Sequence, residues 1–84
     1  MKVRNRLREI RQSRSLTQAE LASRIGVSRK TINTVENGVF TPSVALALAL
    51  ARDLGTLVED LFQLVDQENE RTEQSEKADR SVGE

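Results

Sequence analysis

Residues 18–37, QAELASRIGVSRKTINTVEN, decide the fold of this chain. On both sides of Gly26 the apolar residues recur at helical spacing, so we expect two amphipathic helices that meet at this glycine. The buried face that this spacing predicts consists of Leu21, Ala22, Ile25, Ile32 and Val35. Gly26 is suited to end the first helix, because a Cβ atom is penalised in the left-handed conformation that often closes a helix.

Capping residues predict where these two helices begin and end. Thr17 and Glu20 have the T-x-x-E spacing of a capping box, which starts the first helix directly after the threonine. Ser28 is a good N-cap for the second helix, and Gly38 follows Asn37 where a glycine would close it. A turn this short makes the second helix leave at a steep angle, so the arrangement is a helix-turn-helix.

One helix is predicted before this pair and one directly after it. The earlier helix runs from about Val3 to Ser13, and its buried stripe consists of Val3, Leu7 and Ile10. Pro42 suits the first position of the later helix with Thr41 as its N-cap, and Gly55 ends it. The core-facing set of the later helix is Val44, Ala47, Leu48, Leu50, Ala51 and Leu54, which leaves Leu46 on the outer face.

A short fifth helix is predicted to begin at a second capping box, formed by Thr56 and Glu59, and to run through Phe62. This segment carries more apolar surface than one short helix needs in a small monomer, so we expect part of it to cover a second copy of the chain. The predicted homodimer surface consists of Leu57, Val58, Leu61 and Phe62, with Leu46 as a further candidate.

Composition excludes several classes of function. The chain has 84 residues, enough for one small domain, and it has no cysteine, histidine or tryptophan. It therefore offers no disulfide, no thiolate nucleophile and no usual set of zinc ligands, and we predict no metal, no cofactor and no enzyme activity. Since no apolar run approaches the roughly 20 residues of a membrane span and no signal peptide pattern is present, we expect a soluble, cytoplasmic, nucleoid-associated protein.

The net charge of +0 conceals a strong gradient along the chain. Residues 1–40 carry nine basic and three acidic side chains, a net charge of +6, while residues 66–84 carry three basic and seven acidic ones, a net charge of −4. A basic half that contains the helix-turn-helix suits a polyanion, although arginine-rich helix faces are as often merely solvated. We divide the chain into a DNA-binding domain, residues 1–65, and an acidic, mostly disordered tail, residues 66–84.

The second helix of the motif carries side chains suited to reading DNA. In a helix-turn-helix this helix enters the major groove, where Arg and Lys donate to guanine, Asn pairs with adenine and Thr contacts the thymine methyl. The predicted base-reading residues are Ser28, Arg29, Lys30, Asn33 and Thr34. The predicted phosphate contacts are Thr17, Gln18, Thr31 and Asn37, because a helix N-terminus and a glycine turn present free N–H groups to anions.

The segment LTQAELASRIGVSRKTINTVENG, followed by TPSVALALALARDLG and VEDLF, resembles the Cro/C1-type (XRE-like) helix-turn-helix regulators. Within that family it is most similar to the short stand-alone members typified by a cytolysin repressor. The resemblance covers roughly Arg4 to Phe62. It implies an all-α, compact five-helix bundle of the lambda-repressor-like DNA-binding type. It also implies a transcriptional regulator, most simply a repressor, that binds a palindromic double-stranded operator as a homodimer.

The same resemblance implies roles for single residues. Gln18 matches the phosphate-binding glutamine of the family, and Arg29, Lys30 and Thr34 match its main base-reading positions. Arg11 and Glu36 match a pair that ties the first helix to the end of the reading helix. The stand-alone members also pair their chain ends as short strands, which here would be Met1 to Val3 and about Gln63 to Val65.

The chain departs from the family at two positions. Many relatives carry basic residues after the glycine that follows the reading helix, where this chain has Val39 and Phe40, so we expect packing or an interface there rather than a phosphate contact. Many relatives also begin the fifth helix from a serine or threonine where this chain has Leu57, and the Thr56 capping box would shift that start by one residue.

Two alternatives to a DNA-binding regulator remain open at this point. The acidic tail would suit a protein-interaction module, for example an antitoxin whose tail binds a protein partner. RNA binding is disfavoured, because Phe40 and Phe62 are the only aromatic residues and no stacking platform for unpaired bases results.

Overall fold

The computed structural model describes residues 2–65, and the predictions for the tail of residues 66–84 lie outside this range. Within it, five helices follow one another between two strands. The helices are α1 (Leu7–Ser13), α2 (Gln18–Ile25), α3 (Arg29–Glu36), α4 (Val44–Leu54) and α5 (Val58–Leu61). The strands β1 (Lys2–Asn5) and β2 (Phe62–Val65) form an antiparallel pair that joins the two ends of this region. The five predicted helices and the terminal strand pair are therefore both present.

The strand pair replaces the beginning of the predicted first helix. Lys2 pairs with Val65 and Asn5 with Phe62, so the predicted helical role of Val3 is wrong. Asn5 ends the strand, because its side-chain oxygen accepts from Leu7 N at 3.0 Å while its Nδ2 donates to the carbonyl of Val35 at 2.9 Å. The helix consequently begins only at Leu7, and the preceding Arg6 donates its backbone N–H to the carbonyl of Leu61, distant in the sequence, at 2.9 Å.

The motif formed by α2 and α3 has the predicted caps. The capping box is complete, since Thr17 Oγ1 accepts from Glu20 N and Glu20 Oε1 accepts from Thr17 N. Gly26 closes α2 in the left-handed region with φ +79°. Ser28 caps α3, because its hydroxyl accepts from the N–H of Thr31 at 3.1 Å. These local signals fix the lengths of both helices.

Helix α4 begins two residues later than predicted and presents a different face to the core. Ser43 is its N-cap, not Thr41, and it accepts from Leu46 N at 3.1 Å. Val44 and Leu48 were predicted to face the core, but they are 76% and 54% exposed. Leu46, predicted to face outward, instead packs against the core together with the buried residues of this helix, Leu50, Ala51 and Leu54.

Helix α5 also differs from the prediction in its start and its end. Leu57 is the N-cap residue, without a side-chain hydrogen bond, so the Thr56 capping box does not form and does not shift the start of the helix. Thr56 instead lies 3.5 Å from a carboxylate oxygen of Asp60. The helix ends at Leu61, and Phe62 already belongs to β2.

One hydrophobic core receives side chains from all five helices. Its buried members are Leu7, Ile10, Leu21, Ala22, Ile32, Val35, Leu50, Ala51, Leu54 and Leu61. Leu61 is fully buried, so it cannot line a dimer surface as predicted, while Leu46 is half-buried against this core. Ile25 is half-buried against the same core. None of the helices within residues 2–65 is long and apolar enough to span a membrane.

Candidate nucleic-acid interface

Helix α3 separates a core face from an exposed face. Ile32 and Val35 are completely buried, which seats the helix on α1 and α2. On the other side, Ser28, Arg29, Lys30 and Asn33 are exposed, and Thr34 is half-buried. Four of the five residues predicted to read bases thus lie on α3 away from its buried face, and the fifth, Ser28, is its N-cap.

The N-terminal turn of α3 carries two basic side chains, Arg29 and Lys30, that have no partner in the described part of the chain. Neither Arg29 nor Lys30 forms a side-chain hydrogen bond or an ion pair with any other part of residues 2–65. By contrast, Arg6 is paired with Glu9, and Arg24 is paired with a carboxylate on α4. The donor groups of Arg29 and Lys30 are therefore available to an external acceptor.

The hydroxyl groups along α3 are engaged within the helix. Ser28 Oγ lies 2.9 Å from Thr31 Oγ1 in addition to its capping bond. Thr34 Oγ1 donates to the carbonyl oxygen of Thr31 at 3.0 Å. Because these hydroxyls are already hydrogen-bonded, Thr31 and Thr34 have less hydrogen-bonding capacity for a ligand than the sequence suggested.

The beginning of α2 combines free backbone N–H groups with a tethered side chain. Within residues 2–65, the N–H groups of Gln18 and Ala19 have no hydrogen-bond partner, as expected for a first helical turn. The side-chain Nε2 of Gln18 donates to Glu36 at 3.0 Å and to Asn33 at 3.2 Å. The side chain of Gln18 therefore connects the N-terminus of α2, which attracts anions, to α3 through hydrogen bonds.

A buried ion-pair network fixes the C-terminal end of α3. The side chain of Glu36 is 0% exposed. Its Oε2 lies 2.6 Å from Arg11 Nε, and its Oε1 lies 3.2 Å from Arg11 Nη2. Arg11 also donates to the carbonyl oxygen of Leu16 at 2.8 Å. Since every strong donor and acceptor of this pair is matched, it orients α3 on α1 rather than offering a charge to a ligand.

Arg8 is a member of this network that the sequence interpretation missed. Its Nε donates to Glu36 at 3.2 Å and its Nη2 donates to Asn37 Oδ1 at 2.7 Å, while half of the side chain stays exposed. Arg8 and Arg11 are three residues apart and share one side of α1, but this spacing does not show which element that side faces. Asn37, predicted to contact phosphate, is thus held by α1 and also donates to Asn33 at 3.3 Å.

The pKa of Glu36 makes this network sensitive to acid. Burial acts to raise the pKa, but the hydrogen bonds from Arg11, Gln18 and Arg8 outweigh it and bring the pKa below the ordinary value of 4.5. The unfolded chain therefore binds a proton at this site before the folded chain does. The stability that this carboxylate contributes is present above about pH 4.5 and is lost as the pH falls through the lower folded value.

We accordingly expect the free energy of unfolding to fall on acidification below about pH 4.5, with Glu36 responsible for part of the loss. Urea unfolding of the wild type and of Glu36→Gln across this range measures that part. The stability difference between the two proteins should shrink as the pH falls. A difference that stays constant down to the acid transition would contradict the assignment.

The loop after α3 is folded back against the helix. Gly38, with φ +75°, donates to the carbonyl of Val35, and the N–H groups of Val39 and Phe40 both donate to the carbonyl of Thr34, at 3.0 and 3.3 Å. The side chains of Val39 and Phe40 are nevertheless 78% and 46% exposed. The packing role expected for Val39 is therefore absent within residues 2–65.

Comparison with known proteins identifies the same motif elsewhere. A family model described as helix-turn-helix matches residues 7–61, which spans α1 to α5. An uncharacterized HTH-type transcriptional regulator of Archaeoglobus fulgidus is 44% identical over 66 residues, covering 79% of this chain and 94% of that protein. Another from Methanocaldococcus jannaschii is 41% identical over 66 residues, covering 79% of this chain and all of the relative.

A solved structure shares the fold. The crystal structure of a protein from Bacteroides fragilis superposes with a TM-score of 0.68 at 23% sequence identity, over 73% of this chain and 98% of that one. At that identity the likeness concerns the fold alone.

Proposed function

This chain belongs to the helix-turn-helix family of transcriptional regulators, a family of DNA-binding proteins and not of enzymes, and from that premise we propose that it is a repressor. It binds a palindromic operator as a homodimer and inserts the helix Ser28 to Asn37 into the major groove. Each subunit reads bases with the exposed side of this helix and contacts phosphates with the beginning of α2.

The observation that carries this proposal is the pair of unengaged cations on α3. Arg29 and Lys30 occupy the end of the helix that approaches base edges in a helix-turn-helix, and no group in the described part of the chain accepts from their side chains. Arginine and lysine donate to O6 and N7 of guanine, the most common specific contact in the major groove. Asn33 on the next turn, together with Ser28 and Thr34, completes the proposed reading surface.

Phosphate contacts are proposed at both ends of the motif. Gln18 and Ala19 offer free N–H groups where the dipole of α2 is positive, and Thr17 precedes them on the surface. Thr31 and Asn37 flank the reading surface on α3. Since the side chains of Gln18 and Asn37 are held by the network around Glu36, these contacts would position the reading helix with little loss of side-chain entropy.

The homodimer is proposed to form through the apolar surface near the chain ends. Val3 and Leu64 lie directly opposite each other in the strand pair and are both exposed, as is Leu57 at the start of α5. Val58 and Phe62 of the predicted surface are half-buried and can contribute only their outer edges. A two-fold dimer of this kind places its two reading helices about 34 Å apart, one turn of the double helix.

Selection of bound sequences from a random DNA pool tests the proposal. We expect two inverted half-sites whose centres are separated by about 10 base pairs. Enrichment of a single asymmetric site would contradict the symmetric dimer while retaining DNA recognition. If no sequence were enriched, the proposal of sequence-specific binding would fail.

Replacing Arg29 or Lys30 by alanine is expected to weaken operator binding by about 1–3 kcal/mol and to relax specificity at one base pair each. Affinity should be measured on the operator and on every single-base variant. Arg52→Ala is the matched control, because Arg52 is an exposed arginine on α4, outside the reading helix. Equal effects of Arg29→Ala and Arg52→Ala at every position would show that Arg29 contributes charge only.

A further inference from the structure

A shallow depression adjoins the proposed reading surface on one side. It is lined by Ser28, Lys30, Thr31, Thr34, Val39 and Phe40. Four of these residues come from α3 and its cap, and two come from the loop that follows. The depression is therefore continuous with the face of α3 that carries Lys30.

The loop side of this depression is apolar and exposed. Phe40 is one of only two aromatic residues in the chain, and Val39 is more exposed than any other large apolar side chain of residues 2–65. Large apolar groups gain free energy when they are removed from water, so two of them beside an interface favour an apolar ligand group.

The polar groups around the depression are already satisfied. The N–H groups of Val39 and Phe40 both donate to the carbonyl of Thr34, so this loop has none to offer a phosphate at these two positions. The hydroxyls of Ser28 and Thr34 are hydrogen-bonded within α3. The depression thus combines an apolar surface with the ammonium group of Lys30, which has no hydrogen-bond or ion-pair partner among residues 2–65.

Only one base presents an apolar group in the major groove, namely thymine through its C5 methyl. On the basis of the proposed function, we propose that the depression between Phe40, Val39 and Thr34 binds the C5 methyl of a thymine that adjoins the base pair contacted by Lys30. The loop after α3 then determines specificity, in addition to the helix itself. A relative with basic residues at these two positions would lack that preference.

Replacing thymine by deoxyuridine removes only the methyl group and therefore tests the inference directly. Each thymine of the selected operator is replaced in turn, and affinities are measured for the wild type, Phe40→Ala and Leu48→Ala. Leu48 is the matched control, because it is an exposed apolar residue of α4 with a similar exposed fraction. In the wild type, one thymine in each half-site should lose about fourfold in affinity, the effect of one buried methyl-sized group.

The variants decide which residue holds the methyl group. Phe40→Ala should bind the thymine and deoxyuridine operators equally well, while Leu48→Ala keeps the wild-type preference. Operator binding that tolerates deoxyuridine at every position would overturn the inference and leave the proposed function intact. An equal loss for Phe40→Ala on all sequences would assign Phe40 to the DNA backbone and overturn it also. Failure to obtain any operator would remove the proposed function and the inference together.

Discussion

Replacing Glu36 by glutamine is expected to lower the free energy of unfolding by about 3–5 kcal/mol at neutral pH. The substitution keeps the size of the side chain but leaves the buried guanidinium of Arg11 without its charged partner. An uncompensated buried charge is costly because the interior solvates it poorly. Urea unfolding followed by circular dichroism measures the loss.

Arg11→Met, Glu36→Met and the double substitution of both residues by methionine are the controls for this prediction. Each single change should be strongly destabilising, whereas the double change removes both charges and should cost less than either single change. Arg6→Met, which breaks an exposed pair with Glu9, should change stability by no more than about 1 kcal/mol. A Glu36→Gln loss as small as that of Arg6→Met would show that the buried pair does not hold α3.

Replacing Ile32 by alanine is expected to cost about 2–5 kcal/mol of stability. Ile32 is completely buried on α3, so the truncation removes apolar contacts and leaves a cavity under the reading helix. In a domain of this size such a loss is a large part of the total stability, and operator binding should weaken because part of the protein is unfolded.

Two further measurements separate the effect of Ile32→Ala on folding from an effect on DNA contact. Ile32→Val removes a single methylene and should cost only about 0.5–1.5 kcal/mol. Where Ile32→Ala is fully folded, for example at low temperature, its preference among operator variants should match the wild type, since Ile32 does not reach the exposed face. An altered base preference in the folded variant would place Ile32 in recognition and contradict the assigned role.

The central motif could be predicted in detail because its signals are local. Thr17 and Glu20 are three residues apart, and Gly26 and Ser28 lie within the turn itself, so each cap needs only its own neighbours. No distant contact competes with them. The bounds of α2 and α3 accordingly follow from their caps.

The errors in β1 and in the buried face of α4 fall where distant contacts decide the structure. β1 forms because it pairs with β2, which lies some 60 residues later in the chain. The helical spacing of Val3 and Leu7 gives no indication of that pairing. In α4 the leucines at 46, 48 and 50 alternate with alanines, which marks no single helical face. The surrounding helices select the buried side of α4, and they select Leu46 instead of Leu48.

The exposed residues of the candidate site could be predicted from the sequence, but most of the hydrogen bonds that hold α3 in place could not. The apolar spacing of Ile32 and Val35 alone indicates that Arg29, Lys30 and Asn33 are exposed. The hydrogen bonds of Arg8 to Glu36 and Asn37 depend on how α1 crosses α3, which no local pattern encodes. Which bases the exposed side chains read depends on the fit to DNA and stays a prediction.

The two ends of α3 have different freedom to change during evolution. The side chains of residues 8, 11, 18 and 36 are joined by hydrogen bonds, so the effect of a substitution at one of them depends on the residues at the others. The side chains at positions 29 and 30 form no hydrogen bond or ion pair with the rest of residues 2–65. If these two positions read bases as proposed, single substitutions there would exchange one operator for another without a loss of folding, and copies of one scaffold could diverge into regulators of different genes.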